Sequence, residues 1–176
     1  MNNINTSPLY SPLKLFNYPK SIEALKNSTL VTPIQIRIKP INACNHNCWF
    51  CAYRAEGLSL GDQMKLKDRI PIEKMDEIVR DCISMEVKSV TFSGGGEPLI
   101  YTHLATTIQS LANGKIKVGA LSNGSFLKNE IADAFANYAT WIRISMDGWD
   151  SSSYVQSRGV NKNEYENIIS NISSFA

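Results

Sequence analysis

Histidine is scarce in this sequence: His46 and His103 are the only two in 176 residues. A catalytic triad or a histidine-based metal site is therefore poorly supplied. Cysteine is scarce as well, with four residues, and three of them fall within CNHNCWFC at Cys44–Cys51. A disulfide-stapled secreted scaffold would not cluster its thiols in this way, so reduced thiols in the cytoplasm are expected. Neither sign of charge dominates. Eighteen basic against sixteen acidic residues give a formal +2. No basic run is long enough to follow a phosphate backbone, so no nucleic-acid partner is expected. No run approaches eighteen apolar residues, so no membrane span is expected. The opening MNNINTSPLY has no basic segment followed by an apolar stretch, and no signal peptide is expected.

What is present is a core-forming composition, with 43% apolar residues in a length suited to one domain. Residues 1–33 are polar and interrupted by Pro8, Pro12, Pro19 and Pro33, which denies long helices and leaves room for a short one at SIEALKN. This lead-in is expected to be separate from a domain at 34–176. IQIRIKP (Ile34–Pro40) alternates apolar and polar residues and stops at a proline, as a strand does. After the cysteine stretch, Ile72, Met75, Ile78, Val79, Cys82 and Met85 fall at helical spacing behind Pro71. SVTFSGGGEP then reads as a strand running into glycines. The alternation continues with a helix marked by Leu104, Ile108 and Leu111, and then a strand in IKVGALSNG. A helix marked by Ile131, Ala134, Phe135 and Tyr138 leads to a strand in TWIRISMDG, and a last helix carries Tyr165, Ile168, Ile169, Ile172 and Phe175. Four strands alternating with helices predict an α/β fold with a parallel sheet and outer helices.

The polar clusters all follow strands: Cys44–Cys51, Gly94–Glu97, Ser122–Asn123 and Ser145–Asp147. In parallel β/α folds the carboxyl ends of strands surround one site, so these four clusters should face a common cleft. Each alone could be an ordinary turn.

Three thiols at i, i+4 and i+7 are one short of a closed site. A cluster of four irons and four sulfides held by Cys44, Cys48 and Cys51 would leave one iron open, as an open position marks a reactive metal. The alternative is structural zinc with His46 or Cys82 as the fourth ligand. His46 is cramped between two cysteines, and Cys82 lies on the apolar face of its helix, as a buried free thiol does. His103, near a helix start, reads as surface.

CNHNCWFC resembles the CxxxCxφC signature of the radical S-adenosylmethionine enzymes, with Phe50 as the aromatic. SGGGEP (Ser93–Pro98) resembles their GGEP segment. LSNGS (Leu121–Ser125), RISMDG (Arg143–Gly148) and SYVQSRG (Ser153–Gly159) are similar to the stretches that follow. The resemblance runs from about Ile34 to the C-terminus. Its style is that of the branch holding peptide maturases, sulfatase activators and molybdopterin-precursor synthases.

The resemblance implies a partial (β/α) barrel with four of the usual six units, and hence a chain cut short after the fourth. It implies that Cys44, Cys48 and Cys51 hold a [4Fe–4S] cluster whose open iron is chelated by the amine and carboxylate of S-adenosylmethionine. Phe50 would lie beside the adenine. Gly95, Gly96 and Glu97 would receive the methionyl ammonium, and Ser122, Asn123, Ser145 and Arg158 would lie near the ribose or carboxylate. The residue chemistry agrees: glycine lets a ligand approach backbone, Glu97 offers a negative charge, and Arg158 offers a forked cation to a carboxylate. The implied activity is reductive cleavage to a 5′-deoxyadenosyl radical that takes hydrogen from a peptide, protein or small metabolite. It requires an external one-electron donor such as flavodoxin or ferredoxin. A non-catalytic cluster-binding module and a zinc-stabilised binding domain stand as alternatives.

Overall fold

The computed structural model describes residues 14–54, 61–62 and 64–176. The chain divides into two compact units, Met1–Pro33 and Ile34–Ala176. The first thirteen residues of the lead-in lie outside the described residues. The rest of that unit contains a 3₁₀ helix at Lys14–Asn17 and one short α-helix, α1 (Pro19–Lys26), which opens on a proline where a missing N–H costs nothing.

The second unit contains a four-stranded parallel sheet in the order β1-β2-β3-β4, formed by β1 (Gln35–Ile38), β2 (Ser89–Phe92), β3 (Lys117–Ser122) and β4 (Trp141–Ile144). Three helices alternate with the strands: α2 (Ile72–Ser84), α3 (Leu104–Asn113) and α4 (Asn129–Tyr138). Two more follow β4, α5 (Ser151–Arg158) and α6 (Glu164–Phe175). The parallel α/β architecture read from the sequence is therefore present. The described residues supply four strands and no closed barrel.

Period and pleat explain the core. Ile36, Ile38, Val90, Phe92, Val118, Ala120, Ile142 and Ile144 share one face of the sheet through the strand register. They pack in one cluster with Met75, Val79 and Cys82 of α2, Leu104, Ile108 and Leu111 of α3, and Ala134 and Phe135 of α4. Cys82 is buried there, at i+7 from Met75, and does not line the cleft described below. Among the described residues no helix is long and apolar enough to cross a membrane.

One helix departs from the sequence reading. SSSYVQSR forms α5 although it has almost no apolar period. Its ends explain it. Asp150 is an N-cap whose carboxylate accepts from Ser153 N at 2.7 Å, and the Ser153 hydroxyl returns to the backbone N–H of Asp150 at 3.1 Å, closing a capping box. Gly159 closes the helix in the left-handed region at φ +59°.

Candidate active site at the strand ends

The carboxyl ends of all four strands converge on one cleft of about 220 Å³. Cys44, Cys48 and Cys51 line it together with Gly94–Glu97, Leu121–Asn123, Ser145 and Arg158. All three thiols are free, Cys48 buried and the other two half-exposed. Phe50 stands beside the cleft rather than in its lining. Its ring is 43% exposed and lies 5.6 Å from the Arg158 guanidinium.

The cysteine loop is anchored by residues between and beside its thiols. On one side, the segment after β2 continues the ladder into the cysteine loop: Gly96 N donates to Ile41 O at 3.0 Å and Glu97 N to Ala43 O at 2.9 Å. A methyl on Gly96 would overlap Ala43 O and lie 2.6 Å from the Asn42 carbonyl carbon, so this close approach requires glycine. On the other side, Asn47 N donates to Arg158 O at 2.9 Å, and a Cβ on Gly159 would come within 2.5 Å of Asn47 O. The loop between β3 and α4 supplies a third hold. Asn45 donates to Ser125 Oγ and accepts from Asn123 Nδ2, both at 2.8 Å. From within, Arg54 Nη1 donates to His46 O at 2.9 Å.

Glu97 is buried at the centre of this arrangement. Its Oε1 accepts from Leu99 N and Ser122 Oγ at 3.0 and 2.8 Å, and its Oε2 accepts from Asn123 N at 2.8 Å. Burial pushes its carboxyl up from the usual range, against these three donors and the Arg158 charge. Glu97 thus ties β2 to β3. Asn123 is spent in the same way, since its Oδ1 accepts from Ser125 N at 3.0 Å and its amide donates to Asn45. Ser122 gives its proton to Glu97 and accepts from Gly124 N at 2.9 Å.

Arg158 is buried at the C-terminus of α5. It pairs with Asp147, donates to Ser145 O at 2.6 Å, and points Nη1 at Cys48 Sγ from 3.4 Å. Its Nε is buried without a partner among the described residues. Burial pushes the Cys44 thiol up, with Glu97 and Cys48 acting in the same direction. The His46 N–H and the Arg54 charge oppose them.

His46 is buried and turned to Ser125 Oγ at 3.0 Å and Glu164 Oε1 at 3.3 Å, and Ser125 also donates to Glu164. Both contacts use Nε2, while Nδ1 is buried without a partner among the described residues. Burial lowers its pKa below 6.5, with Glu164 pulling the other way. A depressed histidine contributes stability above 6.5 that is lost as pH falls through the folded value. The melting temperature of the cluster-free chain is therefore expected to fall as the pH is lowered below 6.5. The His46→Gln variant should show a flatter profile in the same thermal scans, and an unchanged slope would show that another group carries the effect.

Sequence reasoning did not single out Tyr53 or Arg54, which line the cleft, nor Asn45, Asn47, Ser125 and Glu164, which position the loop. Asn45, Asn47 and Ser125 sit inside or beside the quoted motifs. Glu164 carries no local signal.

The family model of the radical SAM superfamily matches residues 38–175. This chain belongs to the radical SAM superfamily. The two cofactors of that superfamily are a [4Fe–4S] cluster and S-adenosylmethionine. The donor set fits them. Three thiols face one cleft, and His46 Nε2 is taken up by Ser125 and Glu164. Among the described residues no three ligand side chains are drawn to a single point as one zinc ion would require.

A UPF0026 protein of Helicobacter pylori J99 is 24% identical over 148 residues, covering 76% of this chain and 44% of its own length. A GTP 3′,8-cyclase of Vibrio parahaemolyticus is 26% identical over 132 residues, covering 72% of this chain and 37% of its own. Among solved structures, Streptococcus suis SuiB bound to S-adenosylmethionine superposes with a TM-score of 0.67 at 23% identity, over 92% of this chain and 36% of that one. Native anSMEcpe with bound AdoMet gives 0.60 at 20% identity, over 81% of this chain and 42% of that one. The chain thus spans less than half the length of these relatives.

Proposed function

We propose that this chain carries the radical-generating part of an enzyme that uses a [4Fe–4S] cluster to cleave S-adenosylmethionine reductively to a 5′-deoxyadenosyl radical, which abstracts hydrogen from a substrate. The observation that carries the reading is the convergence of three thiols and three further strand ends on one cleft. Cys44, Cys48 and Cys51 hold the cluster. The backbone at Gly95 and Gly96 offers its polar groups to the methionyl ammonium, Gly95 at φ +94° where a side chain is disfavoured. Glu97 positions that backbone by fixing β2 to β3, and Ser122 and Asn123 hold the same junction. Arg158 presents Nη1 and its unpartnered Nε to the methionyl carboxylate, while Asp147 fixes its plane. Ser145 lines the wall where the ribose would lie. Phe50 packs beside the adenine, against the Arg158 guanidinium. The electron comes from an external donor such as flavodoxin or ferredoxin, in the cytoplasm, with no nucleic-acid or membrane partner.

Anaerobic reconstitution, addition of dithionite and S-adenosylmethionine, and mass spectrometry of the products test this. Equal amounts of 5′-deoxyadenosine and methionine are expected. Intact S-adenosylmethionine beside a fully loaded cluster would instead favour a module that binds a cluster without catalysis.

A further inference from the structure

Two residues of the cysteine loop, Asn45 and His46, are fastened to a single hydroxyl outside the cleft lining. Ser125 Oγ lies 2.8 Å from Asn45 Nδ2 and 3.0 Å from His46 Nε2, and it donates to Glu164 Oε1. A serine hydroxyl has one proton to give and two lone pairs that receive. An ionised carboxylate only accepts, so the proton goes to Glu164. The lone pairs then accept from the Asn45 amide and from His46 Nε2, which fixes the imidazole as its Nε2–H tautomer. Ser125 and His46 are both buried, so water does not stand in for a lost partner.

The backbone at Ser125 is held without Glu164. Its N–H donates to Asn123 Oδ1 at 3.0 Å, and its carbonyl accepts from Asn171 Nδ2 of α6 at 2.9 Å. What the carboxylate adds is the direction of the hydroxyl proton. Glu164 opens α6, yet its side chain is only 16% exposed, whereas Glu166 in the same turn faces solvent. On the far side of His46, the peptide N–H donates to Cys44 Sγ at 3.4 Å. A donor on a ligand sulfur draws off negative charge and favours the reduced form of a cluster.

We propose that Glu164 is a positioning residue for the cluster: by taking the Ser125 proton it leaves that oxygen to hold Asn45 and His46, and so keeps the His46 N–H on the Cys44 sulfur, where it raises the cluster's reduction potential. The proposal rests on the reading of Cys44 as a cluster ligand. Glu164 touches neither thiol nor cofactor and acts through two other side chains. Its acceptor oxygen, rather than its charge, is what the arrangement uses. Glutamine keeps such an oxygen and alanine does not. Without the acceptor, the Ser125 proton turns toward Asn45 or His46 and displaces one of the two donors that hold the loop. The external donor then meets a cluster that is harder to reduce.

Two readouts test this on the 176-residue chain. The first is amide hydrogen exchange by nuclear magnetic resonance on the cluster-free protein, which reports whether the His46 N–H is held. The second is a redox titration of the reconstituted cluster, followed by electron paramagnetic resonance without S-adenosylmethionine. In Ser125→Ala and Glu164→Ala the His46 amide is expected to exchange at least tenfold faster relative to the β3 amides, and the midpoint potential to become more negative. Glu164→Gln should keep both values near those of the unaltered chain. Cys82→Ala, destabilised in the core, should keep the exchange ratio and the potential. An unchanged His46 exchange ratio in Ser125→Ala would overturn the proposal. So would equal upward shifts of potential in Glu164→Gln and Glu164→Ala, which would mean that the charge acts through space, or a shift in Cys82→Ala as large as that in Ser125→Ala, which would make the effect one of stability alone. Cleavage of S-adenosylmethionine enters neither readout. Its loss with both readouts as expected removes only the proposed chemistry, and intact cleavage beside unchanged exchange removes only this role of Glu164.

Discussion

Replacing Gly96 by Ala is expected to destabilise the chain by about 3 kcal/mol and to lower its melting temperature by about 10 °C. The cause is steric and backbone-specific. The added methyl would occupy the space of Ala43 O, and the obstacle is a peptide group with no rotamer to change. Either the segment after β2 or the cysteine loop must move, and the Gly96–Ile41 and Glu97–Ala43 hydrogen bonds go with it. Gly94 is the matched control. It has φ +48°, so alanine there meets the usual left-handed penalty of about 1 kcal/mol, but its Cβ would be no closer than 3.6 Å to any neighbour. Thermal melts should therefore rank Gly96→Ala well below Gly94→Ala. Equal losses would mean that conformation rather than contact makes glycine necessary here. Because Gly96 abuts the cysteine loop, iron uptake should fall with stability in the first variant and survive in the second.

Cys48→Ala is expected to abolish cluster assembly, reducing iron in the reconstituted chain from about four atoms per molecule to below about one. Cys48 is the buried member of the three, and Arg158 Nη1 is 3.4 Å from its sulfur. Its loss leaves two half-exposed thiols and a buried guanidinium facing an empty wall. Cys82 provides the contrast. It is packed among the core residues of α2, so Cys82→Ala should leave the iron content unchanged and cost stability instead. Iron and sulfide analysis on both proteins, with melts alongside, separates ligand from core. Normal iron in Cys48→Ala, or iron loss in Cys82→Ala with a folded chain, would reverse the ligand assignment.

The parallel sheet was legible because its strands and helices obey simple periods. Met75, Val79 and Cys82 at helical spacing do face the core, and Val90, Phe92, Val118 and Ala120 do share one side. Helix α5 was not legible by the same means. It buries only Tyr154 and Arg158 and is fixed by its ends, Asp150 and Gly159. In the site, the thiols could be read because their spacing and chemistry are local. Which donors remain available could not be read. Glu97 pairs with a hydroxyl 25 residues away, Asn45 with one 80 residues away and His46 with a carboxylate 118 residues away. Those pairings decide that Glu97, Ser122 and Asn123 hold the strand ends together, and only the assembled fold displays them.

The most direct test is electron paramagnetic resonance of the reconstituted, dithionite-reduced chain, with and without S-adenosylmethionine. A [4Fe–4S]⁺ signal that changes shape when the cofactor is added is predicted, because three cysteines leave one iron for it to bind. A cluster signal indifferent to the cofactor, or a colourless protein containing zinc and no sulfide, would contradict the reading of the three-thiol cleft.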